Sequence, residues 1–334
     1  MSEPACLCAP IRLAPYYAEA LWGGTAIADR FRRTGLPPVC SESWEISGHP
    51  SHPGVVADGP LAGRALPELV REFGRGLLGT RAPDPATFPL LVKLIDARKR
   101  LSLQVHPSEA TAKIAGGEPK TEMWYVVAAE PGAFLYAGVR WSWPPMPVET
   151  LRAAIESDTV EPLLNRLDVR AGDAVFIPGG LAHAICEGCL IFEIQQSSDT
   201  TFRLSDWGRV DAHGERRQLH LDQGLRAIET GLPNPAIRRD LPAANAGANA
   251  WTDILSCPFF RLRRIDLREA ATLRSDGSTF AGLFALQGAF DVVVDGQRTA
   301  CPAGTSLLLP AALPEWTAEP AGGKAAVLVV TLGE

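Results

Sequence analysis

Hydrophobic and polar positions alternate with changing period along the chain, and that pattern predicts its elements. Residues 88–97 (FPLLVKLIDA) are almost wholly apolar and predict a buried strand in which Lys93 needs a partner or an opening to water. Residues 40–47 (CSESWEIS) alternate like a strand, with Ser43, Glu45 and Ser47 on one side. In LSLQVHP, Gln104 and His106 stand two apart and share a strand face; Pro107, which has no N–H for a ladder, closes the strand. After a helical or loop excursion, Lys120 and Glu122 repeat that spacing at the start of TEMWYVV. Residues 66–78 have helical spacing, with Leu66, Leu69, Val70, Phe73 and Leu77 on one stripe. Residues 141–166 open with two tryptophans, Trp141 and Trp143, expected to pack, and prolines; helical segments are predicted over 148–156 and 160–167.

The next stretch, Gly172 to His183 (GDAVFIPGGLAH), reads as a turn, a short strand, a second tight turn and a histidine that begins another strand. AICEGCLIFEIQ then predicts a hairpin. A three-residue loop with left-handed Gly188 would set His183 opposite Glu193, and a two-residue loop would pair His183 with Phe192; the three-residue loop is the expectation, because a carboxylate between Phe192 and Ile194 needs a partner. Arg203, between Phe202 and Leu204, should face away from both, with an ion pair to Asp199 or Asp206 as the structural alternative to phosphate binding. His213 and His220 read as surface residues leading into a helix. Residues 231–250 form a linker. It separates a metal-binding catalytic region (1–230) from a C-terminal β region (251–334) with five apolar strands. There, AGTSLLLP (303–310) repeats AGDAVFIP (171–178), but no glycine-and-histidine element follows, so a second barrel without a metal is expected.

Composition narrows the class. The chain has 334 residues, 46% hydrophobic and 21% charged, as ordinary globular proteins do, and its net charge of −6 argues against a dedicated nucleic-acid binder. No apolar run approaches the roughly 20 residues of a membrane span. The N-terminus has no basic and apolar leader pattern, so the cytoplasm is the expectation, and a monomer or weak homo-oligomer the expected state. Seven cysteines argue against a disulfide framework, and Cys6, Cys8, Cys186 and Cys189 lack the spacing of a thiolate zinc site.

The chemistry lies elsewhere. An imidazole, a carboxylate and a carboxamide oxygen suit a borderline metal, and the nitrogen ligand favours zinc over magnesium. Lys120 adds a point charge for an anionic substrate. The basic run Arg98–Arg100 reads either as a solvated turn or as the border of a phosphate site, and His49 and His52 as a loop or a cleft wall rather than a ligand pair.

The G-x5-P-x-G-x2-H spacing resembles the second signature of the cupins. LAPYYAEALWGG, SESWEISGHP, LSLQVHP, PKTEMWYVV, AGDAVFIPGGLAHAI and FEIQQSSDTTFRLSDWGR, taken in order, resemble the zinc-dependent type I mannose-6-phosphate isomerases in their short bacterial form. The resemblance implies a mainly β protein: a jelly-roll cupin barrel with helical insertions and a second, degenerate barrel. It implies zinc on Gln104, His106, Glu122 and His183, with Ser102, Lys120 and Arg203 around the phosphate and the reacting carbons and Glu193 beside the metal. The implied substrate is a small sugar phosphate, and the reaction an aldose–ketose interconversion through an enediol. The competing expectations are an iron oxygenase cupin, which would want histidine at position 104, and a non-catalytic sugar-binding cupin.

Overall fold

Trp124 and Tyr125 are neighbours that face different cores, and this alternation sets the architecture. Along the strand Glu122–Ala129, Trp124 and Val126 enter one apolar cluster while Met123, Tyr125 and Val127 enter another. A strand covered on both faces has no polar side to show, which explains its continuous apolar reading. The computed structural model describes residues 7–140, 145–210, 213–239 and 248–334; Trp141 and Trp143, expected to pack, lie outside the described residues.

The first half consists of two facing antiparallel sheets. One has seven strands in the order Arg238–Arg239, Asp173–Ile177, Glu122–Ala129, Cys189–Gln196, Leu90–Ala97, Glu42–Ser47 and Tyr16–Ala18. The other has five: Phe202–Ser205, Leu103–Val105, His183–Ile185, Phe134–Val139 and Leu164–Asp168. The interior between them is graded. Ile95, Ala97, Val126 and Ile191 fill one end with apolar surface, whereas the same alternation further along brings Lys93, Glu122, Glu193 and Gln195 inward, all buried.

The second half repeats this plan in five- and four-stranded sheets. All five expected C-terminal strands form, together with Ala250–Ser256, Ala271–Arg274, Gln297–Cys301 and Glu315–Pro320, whose alternation is too polar to stand out in the sequence. The repeat is visible in the backbone: Gly172 and Gly304 both have positive φ (91° and 78°), and each precedes a strand of the larger sheet. Among the described residues, each half is built as two separate sheets.

The two halves share a core. Phe88, Phe192 and Leu94 pack in one cluster with Phe280, Phe284 and Leu328, and Leu66, Leu69, Val70 and Leu77 cover it. Inside this apolar interface, Glu45 receives Arg33 Nη1 at 2.7 Å and Ser306 Oγ at 3.0 Å, while Arg33 Nε donates to the Gly304 carbonyl at 2.9 Å.

Several expectations are corrected. The strands His183–Ile185 and Cys189–Gln196 are not a hairpin. Gly188 is left-handed as expected (φ 83°), but the turn carries the chain from one sheet to the other. His183 pairs with Gln104 and Ala137, and Glu193 pairs with Lys93 and Trp124, so His183 does not oppose Glu193. A glycine turn specifies a reversal but not the strand each arm then joins. The predicted helix over 160–167 is a single 3₁₀ turn, Glu161–Leu163, followed by the edge strand Leu164–Asp168, whose Arg166 and Asp168 face solvent. Helix 148–156 forms as Val148–Glu156, whereas the 66–78 helix breaks at Gly74 into Leu66–Phe73 and Arg75–Leu78. Part of the expected linker, Arg238–Arg239, adds an edge strand to the first half, and residues 240–247 lie outside the described ones. Cys8 is disulfide-bonded, which the odd cysteine count did not anticipate; the other described cysteines are free.

Candidate metal centre and substrate cavity

His106 stands just past the short strand Leu103–Val105, Glu122 opens its strand in the facing sheet, and His183 opens the strand His183–Ile185. A tight turn makes this convergence possible. A Cβ on Gly179 would lie 2.6 Å from Ser108 Cα, and Gly180 (φ 88°) donates its N–H to the His106 carbonyl at 2.7 Å. Only glycines allow so close an approach.

One ligand atom from each of the three residues lies within 4.8 Å of the others, and all three side chains are buried. His106 Nδ1 donates to the Thr200 carbonyl at 2.7 Å and His183 Nδ1 to the Leu181 carbonyl at 2.8 Å. A carbonyl only accepts, so each Nδ1 carries the proton and each Nε2 turns a lone pair inward. Both Nε2 atoms stand 3.4 Å from a Glu122 oxygen. Acceptors therefore face acceptors: His106 Nε2 and Glu122 Oε1 have no hydrogen-bond partner, and Glu122 Oε2 has only the Lys120 ammonium, at 3.0 Å, as an ion-pair partner. Burial and the Lys120 ammonium pull His106 down to about 3, and burial likewise lowers His183. Burial raises the Glu122 carboxyl, but Lys120 and His106 outweigh it and hold it well below the ordinary carboxylate range. Two neutral imidazoles and a carboxylate, paired with too few donors, fit a divalent cation.

Gln104 lies beside this group. Its Nε2 is 3.3 Å from His183 Nε2 and its Oε1 accepts from Ser102 Oγ at 3.4 Å. In this rotamer the amide nitrogen, not the oxygen, faces the histidine.

The family model for the catalytic domain of type I phosphomannose isomerase matches residues 11–131. A probable mannose-6-phosphate isomerase of Bacillus subtilis is 33% identical over 314 residues, 93% of this chain and 96% of the relative. A mannose-6-phosphate isomerase of Streptococcus mutans is 34% identical over 92% of this chain and 94% of its own length. The chain belongs to the type I phosphomannose isomerases. The solved mannose 6-phosphate isomerase of Bacillus subtilis shares its fold, with TM-score 0.85 and 30% identity over 96% of this chain and 99% of that one.

In this member of the type I phosphomannose isomerases, a cavity of about 340 Å³ adjoins the metal group, walled by Lys93, Ser102, Gln104, Lys120, Glu193 and Arg203. Glu193 accepts the Trp124 indole N–H at 3.0 Å; burial and Glu122 push its carboxyl up to about 7. Lys120 Nζ is 3.0 Å from Glu122; burial alone would lower it, but Glu122 and Glu193 raise it, so it stays an ammonium. Lys93 finds both a partner and an opening: Glu42 at 3.1 Å, the Trp44 ring at 4.3 Å and the cavity.

Arg203 donates through Nη1 to the Gln218 carbonyl at 2.8 Å, and its buried Nε has no partner. Neither Asp199 nor Asp206 forms an ion pair with it. Asp206 instead binds Arg209 and, at 3.3 Å, Arg217. Arg217 also lines the cavity. Two guanidiniums thus share one carboxylate while a third, Arg203, has none, and burial together with cationic neighbours lowers the pKa of both Arg203 and Arg217.

Sequence reasoning missed Glu42, Arg217 and Thr200. Arg217 sits in a polar stretch with no period to mark it, and Thr200 acts through a backbone carbonyl, which leaves no residue-type signal. Other candidates stay outside. His52 stacks on Tyr16 at 3.7 Å and His49 lies 3.6 Å from Glu118. Arg98 and Arg100 pair with Glu130 and Glu161, each at 3.2 Å. Cys186 and Cys189 are buried in separate apolar clusters. His213 is exposed, and His220 precedes the helix Leu221–Ala227.

Proposed function

We propose that the chain interconverts D-mannose 6-phosphate and D-fructose 6-phosphate through an enediol at a zinc site formed by His106, Glu122 and His183, with Gln104 as fourth ligand after its amide turns over. The observation that carries this is the juxtaposition of an unsatisfied, buried nitrogen–nitrogen–carboxylate group with a cavity walled by unneutralised guanidinium. Nitrogen ligands favour zinc over magnesium or calcium. When bound, the metal supplies the positive charge that stabilises oxyanion character at the adjacent carbonyl and hydroxyl.

The remaining roles fall to this chain's residues. Arg203, with Arg217 and Ser102, holds the phosphate, so that binding energy remote from the reacting carbons orients them. Glu193 carries the proton between the two carbons, since a buried carboxyl poised near neutrality can both accept and return it. Lys120 remains charged and hydrogen-bonds the sugar oxygens. Such a substrate is charged and confined by membranes, which suits a cytoplasmic enzyme acting as a monomer or weak homo-oligomer; no helix among the described residues is long and apolar enough to span a membrane.

A coupled assay for fructose 6-phosphate formation tests the reading: turnover should vanish with a chelator and return with zinc. His183→Ala should lose metal and turnover together, and turnover persisting without metal would refute the site. The oxygenase alternative predicts bound iron and no isomerisation.

A further inference from the structure

The two halves of the molecule can be superposed strand by strand through hydrogen-bond register. The repeated motif aligns Ile177 with Leu309, and these pair with Glu122 and Ala281. Two residues further along, Trp124 pairs with Glu193, and Leu283 with Val329. Across the next ladder Glu193 pairs with Lys93, and Val329 with Arg263. Ala281 therefore occupies the place of the metal-group carboxylate, Val329 that of the buried glutamate, and Arg263 that of the cavity lysine. The second half has lost the metal chemistry and kept a cation.

That cation lies in a cavity of its own, of about 420 Å³, with Arg81, Trp251, Trp316, Thr331 and Asp276 among its walls. The Arg263 guanidinium rests over the Trp251 ring at 4.5 Å, and its buried Nε has no hydrogen-bond partner. Neighbouring arginines are neutralised: Arg261 by Asp253 at 2.6 Å and Glu334 at 3.1 Å, Arg274 by Glu315 at 2.7 Å. Among the described residues, neither Arg263 nor Arg81 has a carboxylate within ion-pair distance, and Asp276 accepts the Ser278 N–H at 2.8 Å. The acids that act on Arg263, Asp253 and the cavity-lining Glu334, are ion-paired to Arg261, so this half-buried guanidinium has no carboxylate of its own, and its planar fork suits a tetrahedral oxyanion. Trp251 is 39% exposed, leaving an aromatic face for a sugar ring.

We infer that the mouth of the C-terminal sandwich is a second, non-catalytic binding site for a small sugar phosphate, with the phosphate on Arg263 and Arg81 and the ring against Trp251. The ligand class rests on the isomerase reading, but the Trp251 resonance and the Arg263 substitutions report on the second site alone, whatever becomes of the metal group.

The test is a titration of the full chain with fructose 6-phosphate, followed by calorimetry and by the indole N–H resonances of Trp251 and Trp316. Two binding events and a shift of the Trp251 resonance are expected. Arg263→Ala should abolish one event and the Trp251 shift while leaving isomerase kcat/KM unchanged, and Arg263→Lys should retain weakened binding. Should Arg263→Ala fail to fold, the exposed Arg81→Ala should weaken the same event about tenfold, or about 1.4 kcal/mol. No shift of the Trp251 resonance in the unaltered protein, or no binding event sensitive to either substitution, overturns the inference; a single event that Arg263→Ala abolishes would instead count against the isomerase reading. Inorganic phosphate should bind there more weakly than the ester; equal affinity would overturn the sugar contact.

Discussion

Glu122 faces two imidazole nitrogens that have no proton to give, and among the described residues Lys120 is its only cationic ion-pair partner. Such a group is costly to bury unless something positive joins it. At the cavity's other wall the imbalance is reversed: Arg209 and Arg217 share Asp206, and Arg203 beside them forms no ion pair with it. On the proposed function a phosphate dianion would redress that excess, so Arg217 should act on binding more than on chemistry. Arg217→Ala should raise KM for mannose 6-phosphate by roughly tenfold to a hundredfold, the 1.5–3 kcal/mol of a charged hydrogen bond, with kcat much less affected. Steady-state kinetics decide this, and an unchanged KM would remove Arg217 from the phosphate site.

At the scale of elements, the site depends on where short strands end. Leu103–Val105 and His183–Ile185 have three residues each and lie side by side, and the Pro178-Gly179-Gly180 turn presses on Pro107 and Ser108. A methyl group on Gly179 would meet backbone there at 2.6–2.9 Å and cannot be accommodated by a side-chain rotation. Gly179→Ala should therefore destabilise by about 1–3 kcal/mol, as overpacking does, and lower metal affinity by displacing His183. Thermal melts with and without zinc measure both effects. A variant with unaltered melting and metal content would show that the turn does not position the histidine. Strand positions were legible wherever apolar alternation was strong, as in 90–97 and 122–129. Strand partners were not, and the Glu187-Gly188 turn illustrates why: local geometry reverses the chain, whereas pairing depends on edges supplied by residues far away.

Across the whole molecule, the two halves are joined by an apolar core with one buried ion pair at its margin, Arg33 with Glu45, braced by Ser306 and Gly304. Removing one partner strands a buried charge, so Glu45→Ala should cost about 3–5 kcal/mol of stability. Denaturant unfolding should record the loss, with zinc content of the folded fraction unchanged. A loss below 1 kcal/mol would mean that water reaches Arg33.

The sequence by itself determined the mainly β class, most strand positions, the repeat, and the residue types of the metal group, because periodicity and ligand chemistry are written locally. Tertiary structure alone decided that His183 lies beside Gln104 rather than opposite Glu193, that Asp206 leaves Arg203 to the cavity, and that Arg217 joins it. Those outcomes depend on which distant strands share an edge and how many charges one carboxylate must balance, quantities that exist only once the chain has closed on itself.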